Sequence, residues 1–103
     1  MSGLPRWLRR RSAPVPAGRV RAARGVVIAE RDGCAVLLDL RRDRYFGLDE
    51  SGTRFWAVLS EGRTIDEAAG QLAEEYDVPV ERLRADAAAF ATRLCDAGLL
   101  EVA

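Results

Sequence analysis

The spacing of apolar residues changes from every second position to every third or fourth position close to Asp49. Upstream of this point, residues 26–30, 35–41 and 44–48 are rich in residue types that favour β-strands. An Asp-Gly pair, the preferred sequence of a tight hairpin turn, lies between the first two segments. The pattern therefore predicts a three-stranded antiparallel meander with residues 44–48 as its edge strand.

The second half of the sequence predicts three helices. Asp49 is suited to cap a first helix over about residues 50–60. Thr64 and Glu67 have the spacing of a capping box at the start of a second helix, and a third helix follows Pro79. A Leu-Leu-Glu-Val segment near the C-terminus is predicted to fold back as a packed tail. The predicted fold class is α+β, a small winged helix-turn-helix-like domain in which a three-stranded antiparallel sheet precedes three helices.

The third helix carries two different surfaces. Leu83, Phe90 and Leu94 recur at helical spacing, and we assign them to the hydrophobic core. A second, alanine-rich surface would let another chain lie close to the helix, because small side chains leave space. Alanine is also the strongest helix former, so helix propensity alone explains the same residues equally well.

The formal net charge is zero, but the charges are separated along the chain. Residues 1–25 contain seven arginines and no acidic residue, whereas the remainder contains nine arginines and all 16 acidic residues. The first segment also holds prolines and glycines and has little periodic apolar pattern. We therefore predict a flexible Arg-rich extension over residues 1–24 and a folded domain over residues 25–103.

The sequence contains no motif for catalysis or metal binding. It has no histidine, and its two cysteines, Cys34 and Cys95, lack CxxC spacing and an activating basic partner. A glycine-rich phosphate loop is also absent. We therefore expect a protein that is not an enzyme and that needs no metal or cofactor. Without a long apolar run or a signal-peptide pattern, it is expected to be soluble, cytoplasmic and without a membrane span.

A series of short motifs extends from about residue 25 to residue 102. They are Val36-Leu37-Leu38-Asp39, Tyr45-Phe46-Gly47-Leu48-Asp49, Gly52, Phe55-Trp56, Thr64-Ile65-Asp66-Glu67, Tyr76-Asp77-Val78, Leu94 and Gly98-Leu99-Leu100. In order and spacing they resemble the PqqD-like domains, also called RiPP recognition elements, which bind the leader of ribosomally made precursor peptides. Within the family, the chain resembles the stand-alone recognition proteins of lasso-peptide pathways more than free-standing PqqD. The Arg-rich extension and Pro79 depart from the family pattern.

The resemblance implies a non-catalytic adaptor. In the family, the leader adds as a further antiparallel strand beside the third helix, and the adaptor presents the precursor peptide to maturation enzymes. For a lasso peptide these enzymes are a leader peptidase and an ATP-dependent cyclase. A proline at Phe46 or Leu48 is expected to abolish leader binding by removing a backbone donor. The predicted peptide-binding residues are Arg44, Tyr45, Phe46, Gly47 and Leu48 on the strand and Arg84, Ala87, Ala88, Ala91 and Cys95 on the helix.

A winged-helix nucleic-acid-binding protein is the main alternative, because that architecture also places three helices beside a β-hairpin. Its phosphate contacts require an excess of cations on the folded domain. Residues 49–103 instead contain five arginines and twelve acidic residues. The charge pattern therefore favours peptide binding and disfavours specific binding of nucleic acid.

Overall fold

The computed structural model describes residues 16–103, so most of the predicted Arg-rich extension lies outside the described residues. These residues form six strands and three helices. They are β1 Arg19–Ala22, β2 Val26–Arg31, β3 Cys34–Asp39, β4 Arg44–Leu48, α1 Glu50–Leu59, β5 Glu61–Thr64, α2 Ile65–Tyr76, α3 Val80–Asp96 and β6 Leu100–Val102. The predicted α+β class and the three helices are confirmed.

The predicted meander forms an antiparallel sheet in the order β2-β3-β4. Asp32 and Gly33 both take positive φ angles, 55° and 84°, as the two central residues of a tight turn between β2 and β3. β4 spans the five residues that the sequence predicted and lies at an edge of the sheet, paired with β3. The order of strands and the edge position of β4 are therefore confirmed.

A second antiparallel sheet, in the order β5-β1-β6, was not predicted. Its central strand β1 lies inside the segment that the charge pattern assigned to the flexible extension. Val20 has no exposed surface, and Arg19 and Arg21 form ion pairs with Glu67 and Glu101 at 2.8 and 2.9 Å. Residues 19–22, which precede the predicted boundary at residue 25, therefore form the central strand of the second sheet.

The predicted helix starts agree with the structure. The Asp49 carboxylate accepts a hydrogen bond from the backbone N–H of Gly52 at 2.8 Å. Thr64 and Glu67 form the reciprocal capping box, with distances of 3.1 and 3.2 Å. These caps supply partners for backbone groups that would otherwise be unsatisfied, and they fix where α1 and α2 begin.

The core lies between the helices and the two sheets, and the C-terminal tail contributes to it as predicted. Leu99 and Leu100 are 3% and 2% exposed, and β6 pairs with β1. No helix within residues 16–103 is long and apolar enough to cross a membrane. The buried core residues are Val20, Leu37, Trp56, Val58, Leu59, Ile65, Ala68, Ala69, Leu72, Leu83, Ala87, Ala91, Leu94, Leu99 and Leu100.

Candidate functional site

An open cleft of about 820 Å³ separates β4 from α3. β4 forms one wall and α3 forms the other, while residues from α1 and from the α2–α3 connection complete the surface. The lining is mostly apolar, with charged groups from Arg82, Asp86 and Arg93. The lining residues are Tyr45, Phe46, Gly47, Leu48, Asp49, Ser51, Gly52, Phe55, Tyr76, Val78, Arg82, Leu83, Asp86, Phe90, Arg93 and Leu94.

The edge of β4 that faces this cleft has no strand partner among residues 16–103. The backbone N–H of Leu40 donates to the carbonyl oxygen of Gly25 at 2.9 Å. Counting back from this bond in steps of two, Leu38 and Val36 of β3 bond to β2, and the residues between them bond to β4. Since hydrogen bonding alternates along an antiparallel pair, Leu37 then bonds to Phe46 on β4. Phe46 is therefore bonded within the sheet, as are Arg44 and Leu48, two residues to either side of it.

Tyr45 and Gly47 have the opposite orientation. By the same alternation, their backbone N–H and C=O groups point away from β3 and towards the open edge. Gly47 also has open space around it, because a Cβ atom added there would meet no atom within 4 Å. The open edge thus presents two residues, each with one donor and one acceptor, to any extended chain that enters the cleft.

An aromatic cluster forms the apolar part of the cleft. The rings of Phe55 and Phe90 meet edge to face with centroids 5.5 Å apart, and the ring of Tyr76 lies 6.4 Å from that of Phe55. The guanidinium carbon of Arg93 lies 4.8 Å from the centroid of the Phe46 ring. The cluster can accept an apolar or aromatic side chain from a peptide, since its rings remain accessible from the cleft.

The structure places the helix half of the predicted site away from the residues that line the cleft. Ala87 and Ala91 have no exposed surface and belong to the core, so they cannot line the cleft. Arg84 points to α2, where its Nε donates to Asp66 at 2.8 Å. Ala88 and Cys95 pack against the core from positions outside the cleft, and burial raises the pKa of the Cys95 thiol.

The strand half of the prediction fits the cleft better. Tyr45, Phe46, Gly47 and Leu48 all line it, whereas the side chain of Arg44 turns away to Asp39 and the end of α3. On α3, the list of predicted binding residues did not include Arg82, Asp86 and Arg93, which line the cleft. Leu83, Phe90 and Leu94 were assigned to the core; Leu83 and Leu94 are buried as predicted, and all three also line the cleft.

Two alanines of α3, Ala87 and Ala91, serve close packing between helices. Ala87 and Ala91 are buried in the same cluster as Ala68 and Ala69, two fully buried residues of α2. Small side chains on both helices allow their backbones to approach closely. A matching small-residue pair on α2 was thus the sequence signal that pointed to a helix partner for this face.

Replacing Ala91 by leucine is expected to destabilise the fold by about 1–3 kcal/mol, because the added methylene groups have no space between α2 and α3. Urea denaturation measures this loss. The control is Ala85→Leu, the same substitution at an exposed position of the same helix, for which a change within about 0.5 kcal/mol is expected. Equal midpoints for the two variants would contradict the burial of this alanine face.

Comparison with known proteins places the chain in a family. Residues 34–100 match the family model described as "Coenzyme PQQ synthesis protein D (PqqD)". The chain is also 30% identical over 92 residues to a "PqqA binding protein" of Rhizobium meliloti (strain 1021), a match that covers 87% of this chain and 94% of the relative.

Solved structures share the same fold. TbiB1, solved in complex with the TbiA(beta) leader peptide, has a TM-score of 0.72 and 36% identity, over 79% of this chain and 94% of that one. Lasso peptide synthetase B1, complexed with its leader peptide, has a TM-score of 0.70 and 28% identity, over 81% and 98%.

A third similar structure is a solution structure. The PqqD truncation of Methylobacterium extorquens PqqCD, a stand-alone RiPP recognition element, has a TM-score of 0.66 and 25% identity, over 80% of this chain and 87% of that one. The family model alone covers well over half of the chain, and the resemblance inferred from the sequence motifs is confirmed. This chain belongs to the PqqD family of RiPP recognition elements.

Proposed function

We propose that this protein is a non-catalytic adaptor that binds the leader of a ribosomally made precursor peptide by β-strand addition to β4. The observation that carries the proposal is the open edge of β4, which faces an apolar cleft along α3. Two similar structures were solved in complex with leader peptides, and a curated relative is named a PqqA binding protein. The peptide class is therefore a leader, of the lasso-peptide type by similarity to TbiB1 and synthetase B1.

Backbone pairing supplies an affinity that depends little on the peptide sequence. Tyr45 and Gly47 each offer one N–H donor and one C=O acceptor to an added strand. At a net contribution of about 0.5–1.5 kcal/mol per hydrogen bond, these four bonds add about 2–6 kcal/mol, which roughly offsets the cost of association, so contacts in the apolar cleft must supply the remaining affinity. The aromatic cluster around Phe55 and Phe90 then selects a peptide with an apolar or aromatic side chain at the matching position.

The antiparallel pairing in this proposal sets the direction of the bound leader. Arg44 lies beside Ala97 at the C-terminal end of α3, so β4 and α3 run in opposite directions along the cleft. An antiparallel strand added to β4 therefore enters beside Leu48 and leaves beside Arg44. The downstream part of the precursor peptide, which carries the residues to be modified, leaves the cleft at the Arg44 end.

The covalent chemistry belongs to separate enzymes in this proposal. A leader peptidase and an ATP-dependent cyclase would act on the precursor peptide while the adaptor holds its leader, and we place this task in the cytoplasm, where the precursor is synthesised. Support for these two partners comes from the similarity to lasso-peptide proteins. Binding of nucleic acid has no support from the comparisons, and the acidic balance of residues 49–103 opposes it.

The proposal predicts saturable one-to-one binding of a leader peptide with little dependence on salt. Fluorescence anisotropy with a labelled TbiA(beta) leader peptide measures the affinity. We expect less than about a threefold change in Kd between about 0.05 and 0.5 M NaCl, because strand pairing and apolar contacts are weakly screened. A labelled DNA duplex is the control and should not bind. Binding of the duplex with a steep salt dependence, without binding of the leader peptide, would contradict the proposal.

A further inference from the structure

The turn between β3 and β4 is held by a buried carboxylate. Asp39 is only 2% exposed at the end of β3 and accepts hydrogen bonds from the backbone N–H groups of Arg41 and Arg42 at 3.2 and 3.3 Å. The guanidinium groups of Arg42 and Arg44 also donate to it, at 3.4 and 3.3 Å. Burial alone would raise the pKa of this carboxyl group, but the hydrogen bonds from Arg44, Arg42 and Arg41 outweigh burial and lower it. Asp39 is therefore ionised at neutral pH.

The side chains of Arg42 and Arg44 connect Asp39 to the C-terminal end of α3. Nη2 of Arg44, which bonds to Asp39, also donates to the carbonyl oxygen of Ala97 at 2.6 Å. This carbonyl lies at the C-terminal end of a helix, where the backbone carries partial negative charge and attracts cations. Arg42 packs against Gly98, since a Cβ atom added there would lie 2.5 Å from its Nη1. One buried carboxylate thus orients two guanidinium groups against the end of α3.

These contacts lie at one end of the cleft. Arg44 is the first residue of β4, and the lining residues of that strand begin with Tyr45. On α3, the lining residues extend from Arg82 to Leu94, and the contact with Ala97 lies just beyond them. Arg44 therefore connects β4 to α3 at one end of the cleft.

We propose that Asp39, Arg42 and Arg44 form a clamp that fixes the distance between the open edge of β4 and α3 before a peptide enters. The inference rests on the proposed function and assigns Arg44 a positioning role through its side chain. An added strand must pair with β4 while its side chains reach the aromatic cluster beside α3, so the two walls must be correctly spaced. A spacing that is set in the free protein reduces the ordering cost of binding.

Arg44→Met tests the clamp, because methionine keeps an apolar stem and removes the charge and the donors. The matched control is Arg21→Met, since Arg21 is similarly exposed and forms an ion pair with Glu101 on the second sheet. With labelled TbiA(beta) leader peptide as the probe, we expect Arg44→Met to weaken binding about tenfold and Arg21→Met to change it less than about twofold. Arg44→Lys keeps a cation and should restore binding to within about threefold of the unchanged protein.

The measurements distinguish three results: failure of the clamp proposal, loss of stability alone, and failure of the proposed function. Kd is measured under conditions in which circular dichroism and urea curves show each variant to be folded. A loss of stability alone therefore leaves Kd unchanged. Equal Kd values for Arg44→Met and Arg21→Met, with tight binding by the unchanged protein, would overturn the clamp and leave the proposed function intact. If the unchanged protein fails to bind the probe, the proposed function loses support. Hydrogen–deuterium exchange of residues 44–48 then decides on the clamp, which requires faster exchange in Arg44→Met than in Arg21→Met.

Discussion

Replacing Gly47 by proline is expected to weaken leader binding by on the order of 100-fold or more, whereas replacing it by alanine leaves binding nearly unchanged. The N–H group of Gly47 points to the open edge of β4, and a Cβ atom at this position would meet no atom within 4 Å. Proline removes that donor and places its ring where the added strand must approach. Alanine keeps the donor and fits the available space.

The comparison of these two variants isolates the backbone contribution at one position. Proline is tolerated in edge strands where its nitrogen faces solvent, so the fold of Gly47→Pro should persist in circular dichroism and urea denaturation. Alanine should be neutral or slightly stabilising, because it reduces the freedom of the unfolded chain. Anisotropy titration with the leader peptide measures both variants. Undiminished binding by folded Gly47→Pro would exclude strand addition over this part of β4.

The same geometry corrects the choice of Phe46 or Leu48 as the proline site. Phe46 and Leu48 bond to Leu37 and Ala35 within the sheet, as the alternation from the Leu40–Gly25 hydrogen bond requires. Proline at either position would break the pairing of β3 with β4 and destabilise the fold. Loss of peptide binding in such variants would therefore not distinguish strand addition from unfolding.

Local sequence signals were sufficient for most of the fold. The turn at Asp32 and Gly33, the cap at Asp49 and the capping box at Thr64 each depend on residues within a few positions of one another. The second sheet was missed because its strands are short and come from distant parts of the chain. The pairs of Val20 with Arg63 and with Val102 are tertiary contacts that no local pattern indicates.

The candidate site was predictable on β4 but not on α3. β4 is the last strand of the predicted meander and was therefore predicted to lie at the edge of the sheet. That prediction was enough to place residues 45–48 at the cleft. Assigning the faces of α3 required knowing which neighbour each face contacts. α2 packs against the alanine face, and the cleft is left to the face that contains Asp86 and Phe90. Because small residues suit either a peptide or a helix partner, the alanines of α3 taken alone could not decide between them, and the deciding signal was the matching pair Ala68 and Ala69 on α2.

Phe90→Ala is expected to weaken leader binding by about 10–100-fold, because it removes the α3 half of the aromatic cluster. The remaining ring of Phe55 would lose its edge-to-face partner, and an apolar side chain of the leader would lose a contact surface. Anisotropy titration with the leader peptide measures the loss. Phe90→Leu keeps apolar volume without a ring and should give an intermediate affinity, and it remains informative if the alanine variant is too unstable.

Leu72→Ala is the control for this loss, since Leu72 is fully buried on α2 and does not line the cleft. Both alanine variants are expected to lose stability, by about 2–5 kcal/mol, through the cavity that each leaves behind. Their affinities should differ nonetheless, because Leu72→Ala leaves the cleft surface unchanged in the folded molecule. If the two folded variants bind the leader equally well, the peptide does not reach the aromatic cluster, and its selectivity must come from another part of the cleft.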